Sequence, residues 1–235
     1  APDVCRAYVA APDLSRIAEL GRQGVLLLLS DSTYADTPGY TPSEVTLSDT
    51  FDRVMSEAPG RVVVATFASL IARVQQIIDA AVKNDRRVFV TGRSMMDNVQ
   101  MAIEQGYLDA PPNIMASLDK MRKLPPEKIA IITTGAQGEP TSALVRMATR
   151  NHRHIEIQAG DTVVFSSSAI PGNELLINRT IDNLYRLGAH VLFSRIANVH
   201  VRGHAAQEEL KLMLGLVKPQ YFVPVHGVLF DLGVS

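Results

Sequence analysis

The sequence predicts an α/β protein built on a parallel sheet that is flanked by helices. From Gly60 onward, short apolar runs of strand length alternate with longer segments whose apolar residues recur at helical spacing. This alternation is typical of βαβ units, whose strands pair in parallel. The run at residues 25–29 is continuously apolar, which indicates a strand that is covered on both faces.

The elements before residue 60 are predicted from capping residues and apolar spacing. Residues 13–20 form a helix with Asp13 as its N-cap and one of the glycines at 21 and 24 as its stop. Residues 25–29 form a fully buried strand. A linker rich in proline and glycine at 38–42 then leads into a helix over residues 46–58.

Strands and helices alternate over the rest of the chain. The helix at 69–83, for example, places Leu70, Val74 and Ile77 on one face. The predicted strands are 61–66, 87–90, 128–133, 161–166, 190–193 and 221–225. The other predicted helices are 97–105, 142–149, a long helix that ends at Arg186, and 205–216.

Composition limits the classes of protein that this chain can belong to. Its 235 residues are 46% hydrophobic, enough for one large or two small cores. The net charge of −1 gives no global attraction to nucleic acid, so any RNA contact depends on local patches. The single cysteine, Cys5, excludes an internal disulfide and suits a reducing compartment. No apolar run reaches membrane-spanning length and no signal peptide is evident, so we expect a cytoplasmic protein with no membrane partner.

Three histidines lie near the end of the chain. His200 follows an apolar run, His204 begins the predicted helix segment, and His226 follows the strand 221–225. Open α/β sheets bind ligands at the carboxyl ends of strands, so we expect all three imidazoles there. At a helix start, the macrodipole favours a neutral His204, which can bind a metal or donate a hydrogen bond to phosphate. The alternative for this H-x-x-x-H pair is two surface or capping histidines.

Asp31 lies just after the predicted strand 25–29, in S-D-S-T-Y. A carboxylate there can hold a metal-bound water, a proton or a helix N-terminus. The alternative is a turn or an Asx cap. If the first and last segments of the chain join in one domain, Asp31 and the three histidines come together despite their separation in sequence.

Three strand-to-helix turns carry the polar sequences T-G-R-S-M, T-T-G-A-Q-G-E-P and S-S-S-A-I-P-G-N-E. Backbone amides at helix starts can hold phosphate, and an arginine can add a bidentate contact. The candidate phosphate-binding residues in these turns are Arg93, Ser94, Gly135, Gln137, Gly138 and Glu139. Residues 146–154, R-M-A-T-R-N-H-R-H, add a cationic patch suited to a polyanion. The alternatives are glycines that serve only backbone geometry and an ordinary solvated helix end.

The amino-acid sequence of these segments resembles that of the bacterial ribonuclease J group, the β-CASP members of the metallo-β-lactamase superfamily. H-V-R-G-H-A-A-Q-E-E-L-K-L-M-L followed by P-V-H-G is similar to the C-terminal signature of that group, and S-D-S-T-Y-A-D to its first β-CASP motif. T-T-G-x-Q-G-E-P and I-P-G-N-E also match, so the resemblance runs from Asp13 to Gly227. It implies a β-CASP domain at residues 46–194, inserted into a partial metallo-β-lactamase (αββα) domain at 1–45 and 195–235.

The resemblance also implies an activity: hydrolysis of RNA phosphodiesters, exonucleolytic from a 5′ end, endonucleolytic, or both. In that group two zinc ions activate water and screen the phosphate. The matching positions are Asp31, His200 and His204 as catalytic residues, Arg202 and Gly203 as further phosphate contacts, and His226 as a metal ligand. Arg202 is a departure, because the group often has serine there. RNA is the implied partner, and intact proteins of the group form dimers or tetramers.

The H-x-H-x-D-H metal motif of the group is absent from this sequence, and no histidine precedes His152. A catalytic zinc takes about three protein ligands, so His226 alone cannot hold one. We therefore expect this chain, as a piece of a longer protein, to be metal-free and inactive by itself, with exposed apolar surface that drives self-association. Two alternatives stay open: a non-catalytic RNA-binding or regulatory module, and a nucleotide-binding protein that uses the same glycine turns.

Overall fold

The computed structural model describes residues 13–112 and 118–226. Within them, residues 44–200 form one compact unit, the larger unit, and residues 13–43 with 201–226 form a second, the smaller unit. In chain order, the described elements are α1 (Leu14–Gln23), β1 (Leu27–Asp31), α2 (Thr46–Glu57), β2 (Val62–Ala65), α3 (Ile71–Lys83), β3 (Arg87–Thr91), α4 (Arg93–Glu104), α5 (Leu118–Met121), β4 (Ile129–Thr133), α6 (Ala143–Ala148), β5 (Thr162–Phe165), α7 (Glu174–Arg186), β6 (His190–Leu192), α8 (Gln207–Val217) and β7 (Tyr221–Val225). A 3-10 turn, Pro126–Lys128, precedes β4.

The larger unit is built on a sheet with the strand order β3-β4-β2-β5-β6, in which the described neighbouring strands pair in parallel. All residues of β2, β4 and β5 are buried. Their valine and isoleucine side chains suit a pleated strand, and burial on both faces explains why these runs do not alternate with polar residues. The parallel, helix-flanked sheet expected from the sequence is confirmed.

One continuous apolar core joins this sheet to helices α6 and α7. Leu144 of α6 and Leu184 of α7 belong to it together with Ile131 and Phe165 of the sheet, and each of these side chains is almost completely buried. Full burial of one such side chain contributes about 1.5–3 kcal/mol. The strand ends from which the candidate phosphate turns emerge are therefore held by a close-packed core.

Strands β1 and β7 of the smaller unit pair in parallel, and the described residues cover only one face of the pair. The exposed side chains on the other face are Leu27, Leu29, Tyr221, Val223 and Val225. The expectation that residues 25–29 form a fully buried strand is therefore wrong: the strand begins two residues later, at Leu27, and two of its three leucines face solvent. A continuous apolar run indicates a strand whose two faces are both buried in the intact protein. It does not indicate that the described residues bury both faces.

Helices α1 and α8 of the smaller unit pack against each other at Gly21, where a Cβ atom would lie 2.1 Å from the carbonyl oxygen of Leu216. This glycine allows the close approach of the two helices and does not end α1. Gly24, with a φ of 93°, ends it. Asp13 is the N-cap, as expected, and its carboxylate accepts a backbone N–H three residues along the chain at 2.9 Å.

Three helices begin two or more residues from the position that the sequence indicated, and the first of them, α3, begins at Ile71 and not at residue 69. Helix α4 begins at Arg93 and not at residue 97, because Gly92, with a φ of 97°, turns the chain directly from β3 into the helix. Helix α8 begins at Gln207, with Ala206 as its N-cap. The short helix α5 and the 3-10 turn before β4 were not predicted. Among the described residues, no helix combines the length and the apolar character that crossing a membrane requires.

Candidate metal centre and phosphate cleft

Asp31, His204 and His226 come together at the carboxyl ends of β1 and β7. Asp31 is the last residue of β1 and His226 directly follows β7, so the parallel pairing of the strands places both side chains at one edge. One nitrogen or oxygen atom from each of the three side chains lies within 4.8 Å of the others. This group, the Asp31–His204–His226 cluster, has the nitrogen and oxygen donors that zinc accepts.

Asp31 and His204 form a carboxylate–imidazole pair. Asp31 Oδ2 lies 3.0 Å from Nδ1 of His204, and Thr33 donates its hydroxyl and its backbone N–H to Oδ1 at 2.6 and 3.2 Å. Partial burial raises the pKa of Asp31, but the hydrogen bonds from Thr33 and His204 outweigh burial and hold this pKa below its ordinary value. The ionised carboxylate favours the His204 tautomer that carries its proton on Nδ1, which leaves Nε2 as an acceptor.

Thr33 joins Asp31 to His226 through one hydroxyl group. Besides Asp31, its Oγ1 contacts Nδ1 of His226 at 3.1 Å and the His226 carbonyl at 2.8 Å. A hydroxyl has one proton and two acceptor positions, so His226 Nδ1–H can donate to Oγ1 while the hydroxyl proton goes to Asp31 or to the carbonyl. In that arrangement, Nε2 of His226 keeps the lone pair that a metal needs. These contacts also hold His226 in a left-handed backbone conformation, with a φ of 64°.

The two imidazoles of the cluster stack, and an arginine lies near them. The ring centroids of His204 and His226 are 4.9 Å apart and their planes differ by 17°. Tyr34 meets His204 edge-on at 5.9 Å, and the guanidinium of Arg202 lies over the Tyr34 ring at 4.7 Å, a cation–π contact. The neighbouring Gly203 is exposed, and a Cβ atom there would meet nothing within 4 Å among the described residues. Local packing therefore does not require glycine at this position.

The backbone at His204 is fixed by Thr41 and Glu209. The Thr41 hydroxyl lies 2.7 Å from the Glu209 carboxylate and 3.1 Å from the His204 carbonyl, either of which can accept its one proton. Glu209 also accepts the N–H of Ala206 at 2.8 Å. Partial burial raises the pKa of Glu209, but these hydrogen bonds hold it below its ordinary value. His204 lies two residues before the N-cap of α8, so the expectation that it begins the helix is wrong. The immediate neighbour of its ring is Asp31 and not the helix end.

The donor set of the cluster fits part of a zinc site. Imidazole is a zinc ligand, and a carboxylate that holds a ligand histidine, as Asp31 holds His204, is common around zinc. In this arrangement, the Asp31 carboxylate is engaged with His204 and Thr33. Within the cluster, the Nε2 atoms of His204 and His226 then remain for a metal, fewer than the about three protein ligands of a catalytic zinc.

His200 is the last residue of the larger unit, where its Nδ1 lies 3.4 Å from the guanidinium of Arg73. Arg73 is fully buried and donates to the Glu44 carboxylate at 2.7 and 2.8 Å and to the Val199 carbonyl at 3.4 Å. A further hydrogen bond joins Arg73 to the hydroxyl of Ser166, just after β5. Burial lowers the pKa of Arg73, and Glu44 acts in the opposite direction. Arg73 therefore fixes the segment that carries His200.

Four of the candidate phosphate-binding residues line one cleft of about 550 Å³ at the carboxyl ends of β3 and β4. Arg93 and Ser94 begin helix α4, and Gly135 and Glu139 lie in the turn after β4. Arg146, from the cationic patch, lines the same cleft. This phosphate cleft combines the start of a 12-residue helix with two arginines.

Gln137 and Gly138 have partners within the protein. The Gln137 side chain is buried; it donates to the Ser168 carbonyl at 2.7 Å and accepts the N–H of Ile170 at 2.8 Å. Gly138 has a φ of 73°, and a Cβ atom there would lie 2.6 Å from the carbonyl carbon of Leu176. Both residues shape their loops, and a direct phosphate contact stays a prediction for them.

Sequence reasoning missed Thr33 and Arg73. For Thr33 the available signal was a hydroxyl two residues after the candidate acid, close enough to bond its carboxylate locally. Arg73 interrupts the apolar face of α3, three residues after Leu70 and four before Ile77. A cation at that spacing indicates a buried, paired guanidinium.

Known protein families match both the larger unit and the end of the chain. Residues 59–184 match the family described as "Ribonuclease J, beta-CASP domain". The chain belongs to the ribonuclease J family. Residues 190–228 of this family member also match the "Zn-dependent metallo-hydrolase RNA specificity domain".

Curated ribonuclease J relatives align with nearly the whole chain. It is 48% identical over 215 residues to Ribonuclease J of Synechocystis sp., 46% over 215 residues to Ribonuclease J2 of Bacillus subtilis, and 49% over 214 residues to Ribonuclease J of Thermus thermophilus. These alignments cover 92%, 92% and 91% of this chain, but 34%, 39% and 37% of the relatives. The chain thus spans little more than a third of the length of the curated relatives it matches.

Proposed function

We propose that this chain supplies the RNA-contacting and site-supporting part of a metal-dependent ribonuclease that hydrolyses RNA phosphodiesters. The observation that carries the proposal is the Asp31–His204–His226 cluster, whose donor atoms lie within 4.8 Å of one another at two strand ends. In this proposal residues 46–194 are the β-CASP domain, and residues 1–45 and 195–235 belong to a metallo-β-lactamase domain. The family matches support it.

His226 is the proposed metal ligand, through its Nε2 atom. Zinc, when bound, supplies a Lewis acid that lowers the pKa of water and screens the charge of the phosphate. His204, with its Nδ1 proton held by Asp31 at 3.0 Å, can take a proton at Nε2 and carry positive charge beside a phosphate. The lowered pKa of Asp31 keeps that carboxylate ionised beside the His204 ring. His200, Arg202 and Gly203 are proposed as further phosphate contacts.

The phosphate cleft is the proposed contact for the RNA backbone. Arg93 and Arg146 are cations, whereas Asp97 and Glu139, which line the same cleft, are carboxylates, so the formal charges of these four side chains balance. In this proposal Arg93 contacts a phosphate and Glu139 accepts a hydrogen bond from a ribose hydroxyl, a group that DNA lacks. Such a cleft favours RNA by geometry more than by net charge, which suits a chain with a net charge of −1.

The chain by itself is proposed to be inactive. With His204 assigned to the phosphate, His226 is the metal ligand that the cluster supplies, and no H-x-H-x-D-H occurs in the sequence to complete the set. The alternative function is a non-catalytic RNA- or nucleotide-binding module that has lost its metal site.

The test compares zinc content and RNA hydrolysis in this chain and in a longer protein that carries an H-x-H-x-D-H segment upstream. We expect about two zinc ions and cleavage in the longer protein only. His226→Ala in the longer protein should lower both, whereas His190→Ala, at an exposed histidine of β6, should change neither. Stoichiometric zinc with cleavage by this chain alone would contradict the proposed inactivity.

Two further readouts separate the remaining alternatives. A longer protein that binds RNA but neither holds zinc nor cleaves would favour the non-catalytic module. Circular RNA has no 5′ end, so its cleavage reports endonucleolytic action, whereas resistance of the circle with loss of the linear form reports exonucleolytic action.

A further inference from the structure

A second cleft, of about 470 Å³, lies at the opposite edge of the larger unit's sheet from the phosphate cleft. Two of the residues that line it mark that edge: Arg61 directly precedes β2, and Ile129 begins β4. The phosphate cleft lies instead at the carboxyl ends of β3 and β4. Nothing in the proposed function uses this amino-terminal edge, and we refer to the cleft there as the amino-edge cleft.

Arg61 lines the amino-edge cleft with a guanidinium that is only partly satisfied. Its side chain is 8% exposed and pairs with Asp161, through Nε to Oδ1 at 2.9 Å and Nη2 to Oδ2 at 2.5 Å. Nη2 also donates to the Glu156 carbonyl at 2.6 Å. A guanidinium has five N–H donors, and the described residues provide no hydrogen-bond acceptor for the two on Nη1. Nη1 of Arg61 therefore has two N–H donors available for a ligand acceptor.

The charge that lines the amino-edge cleft favours an anion. Arg122 and Arg153 line it and make no ion pair with the described residues, and His154 lies beside them. Among the described lining residues the one carboxylate is that of Glu156. Asp161, the ion-pair partner of Arg61, does not line the cleft. Two arginines outweigh one carboxylate, and the cationic patch at 146–154 therefore reaches this edge as well.

The amino-edge cleft also has an apolar wall. The apolar side chains that line it are Met121, Leu124, Pro126 and Ile129. An apolar wall beside arginines suits a ligand with one planar apolar part and one anionic part. Inorganic phosphate would contact only the arginines, whereas a nucleotide would contact the arginines through its phosphate and the apolar wall through its base.

We propose that the amino-edge cleft is a second nucleotide-phosphate site. Arg122 and Arg153 contact the phosphate, Nη1 of Arg61 donates to one of its oxygens, and the base lies against Met121 and Leu124. A volume of about 470 Å³ is in the range of small-ligand pockets, so one nucleotide is the natural occupant. A free nucleotide and a single nucleotide of an RNA chain present the same chemistry, and the test separates them.

The experiment is isothermal titration of the 235-residue chain with adenosine monophosphate, with inorganic phosphate and with a ten-nucleotide oligouridylate. We expect adenosine monophosphate to bind more tightly than inorganic phosphate. Arg122→Gln and Arg153→Gln should each weaken its binding about tenfold, the scale of one charge-assisted hydrogen bond. Arg179→Gln, at an exposed arginine of α7 outside the cleft, is the matched control and should bind like the unchanged chain.

The variants also identify the source of the nucleotide and test the proposal against the phosphate cleft. If Arg153→Gln weakens the oligouridylate as well, the site accepts a nucleotide of an RNA chain; if not, it accepts a free nucleotide. Adenosine monophosphate that binds equally to Arg153→Gln and to Arg179→Gln, or that loses binding only in Arg93→Gln, would overturn the proposal. Failure of RNA hydrolysis by a longer protein would not affect it, because the titration measures binding at the other edge of the sheet.

Discussion

At the scale of single residues, Thr33 determines how Asp31 and His226 are held. Thr33→Val keeps the shape of the side chain and removes the hydroxyl, which contacts Asp31 Oδ1 at 2.6 Å and His226 Nδ1 at 3.1 Å. We expect the pKa of Asp31 to rise toward its ordinary value, because this hydroxyl is one of the groups that lower it. Titration of the Asp31 carboxyl carbon by NMR measures the change.

The same substitution changes how stability depends on pH. Because the pKa of Asp31 is lowered on folding, Asp31 stabilises the fold above its ordinary value of 3.8 and loses that contribution as the pH falls through the folded pKa. Thr33→Val should reduce the contribution. Thr149→Val, which removes a hydroxyl that bonds the end of its own helix, is the control. An Asp31 titration that is the same in both variants would contradict the role given to Thr33.

His152 provides a second prediction at this scale. Its Nδ1 accepts the backbone N–H groups of His154 and Ile155 at 3.3 and 3.1 Å, so Nδ1 carries no proton. Burial, followed by the charges of Arg146 and His154, holds the pKa of His152 below 6.5. The unfolded chain therefore binds this proton more readily, and the free energy of unfolding should fall as the pH drops below 6.5.

Urea unfolding at several pH values measures this dependence on His152. His152→Asn keeps an acceptor for the two N–H groups and removes the titration, so the fall in stability should be smaller in this variant. His190→Asn, at the exposed histidine of β6, should keep the fall seen in the unchanged chain. Equal slopes for the two variants would show that other groups set the pH dependence.

Individual site residues could be predicted where their position directly after a strand determines their location in the fold. Asp31 and His226 each follow an apolar run of strand length, and parallel strands bring such positions to one edge. Thr33 and Glu209 were not predictable in the same way, because their partners depend on which strands and loops meet in the fold. Arg61 shows the same limit, since its partner Asp161 is one hundred residues away.

At the scale of elements, substitution of Arg73 in α3 tests what holds the segments around Glu44, Ser166 and Val199 to this helix. Arg73→Met should lower the free energy of unfolding by about 2–4 kcal/mol, because it removes the charged partner of Glu44 and the donors to Ser166 and Val199. Glu44→Gln should cost less, since the Glu44 side chain is 38% exposed and water can replace part of the interaction. Urea unfolding of both single variants and the double variant gives the coupling energy.

A matched control for Arg73 lies on another helix. Arg179→Met, at an exposed arginine of α7, should change stability by less than about 0.5 kcal/mol. Coupling near zero between Arg73 and Glu44 would contradict the view that their ion pair holds residue 44 to α3.

Elements were predicted better than their ends and their environments. Strands β2, β4 and β5 were predicted within a residue of their observed ends, because valine and isoleucine runs bounded by polar residues leave few alternatives. The start of α4 was missed by four residues, since the decisive feature is the φ of Gly92, and sequence spacing does not report a backbone angle. The prediction that β1 is fully buried was wrong, because the described residues leave one face of the strand exposed.

At the scale of the whole molecule, the exposed face of β1 and β7 is the feature with the clearest consequence. Leu29 is 59% exposed, and Val223, opposite it in the parallel register, is 43% exposed. Leu27 and Tyr221, which also lie opposite each other, are exposed on the same face of the two strands. Contiguous apolar patches beyond about 300–600 Å² are rare on monomers and mark surfaces that bind something. We therefore expect the chain to associate with itself as its concentration rises.

Sedimentation velocity over a range of chain concentrations tests this expectation. The sedimentation coefficient of the unchanged chain should increase with concentration, and Leu29→Gln combined with Val223→Gln should reduce the increase, because both substitutions replace apolar surface at the centre of the face. Met101→Gln, at a 49% exposed side chain of α4, removes comparable apolar surface elsewhere and should leave the increase unchanged. A sedimentation coefficient that does not depend on concentration would contradict the expected self-association and show that this face stays exposed to solvent. The continuous apolar run at residues 25–29 would then require an explanation other than a covering partner.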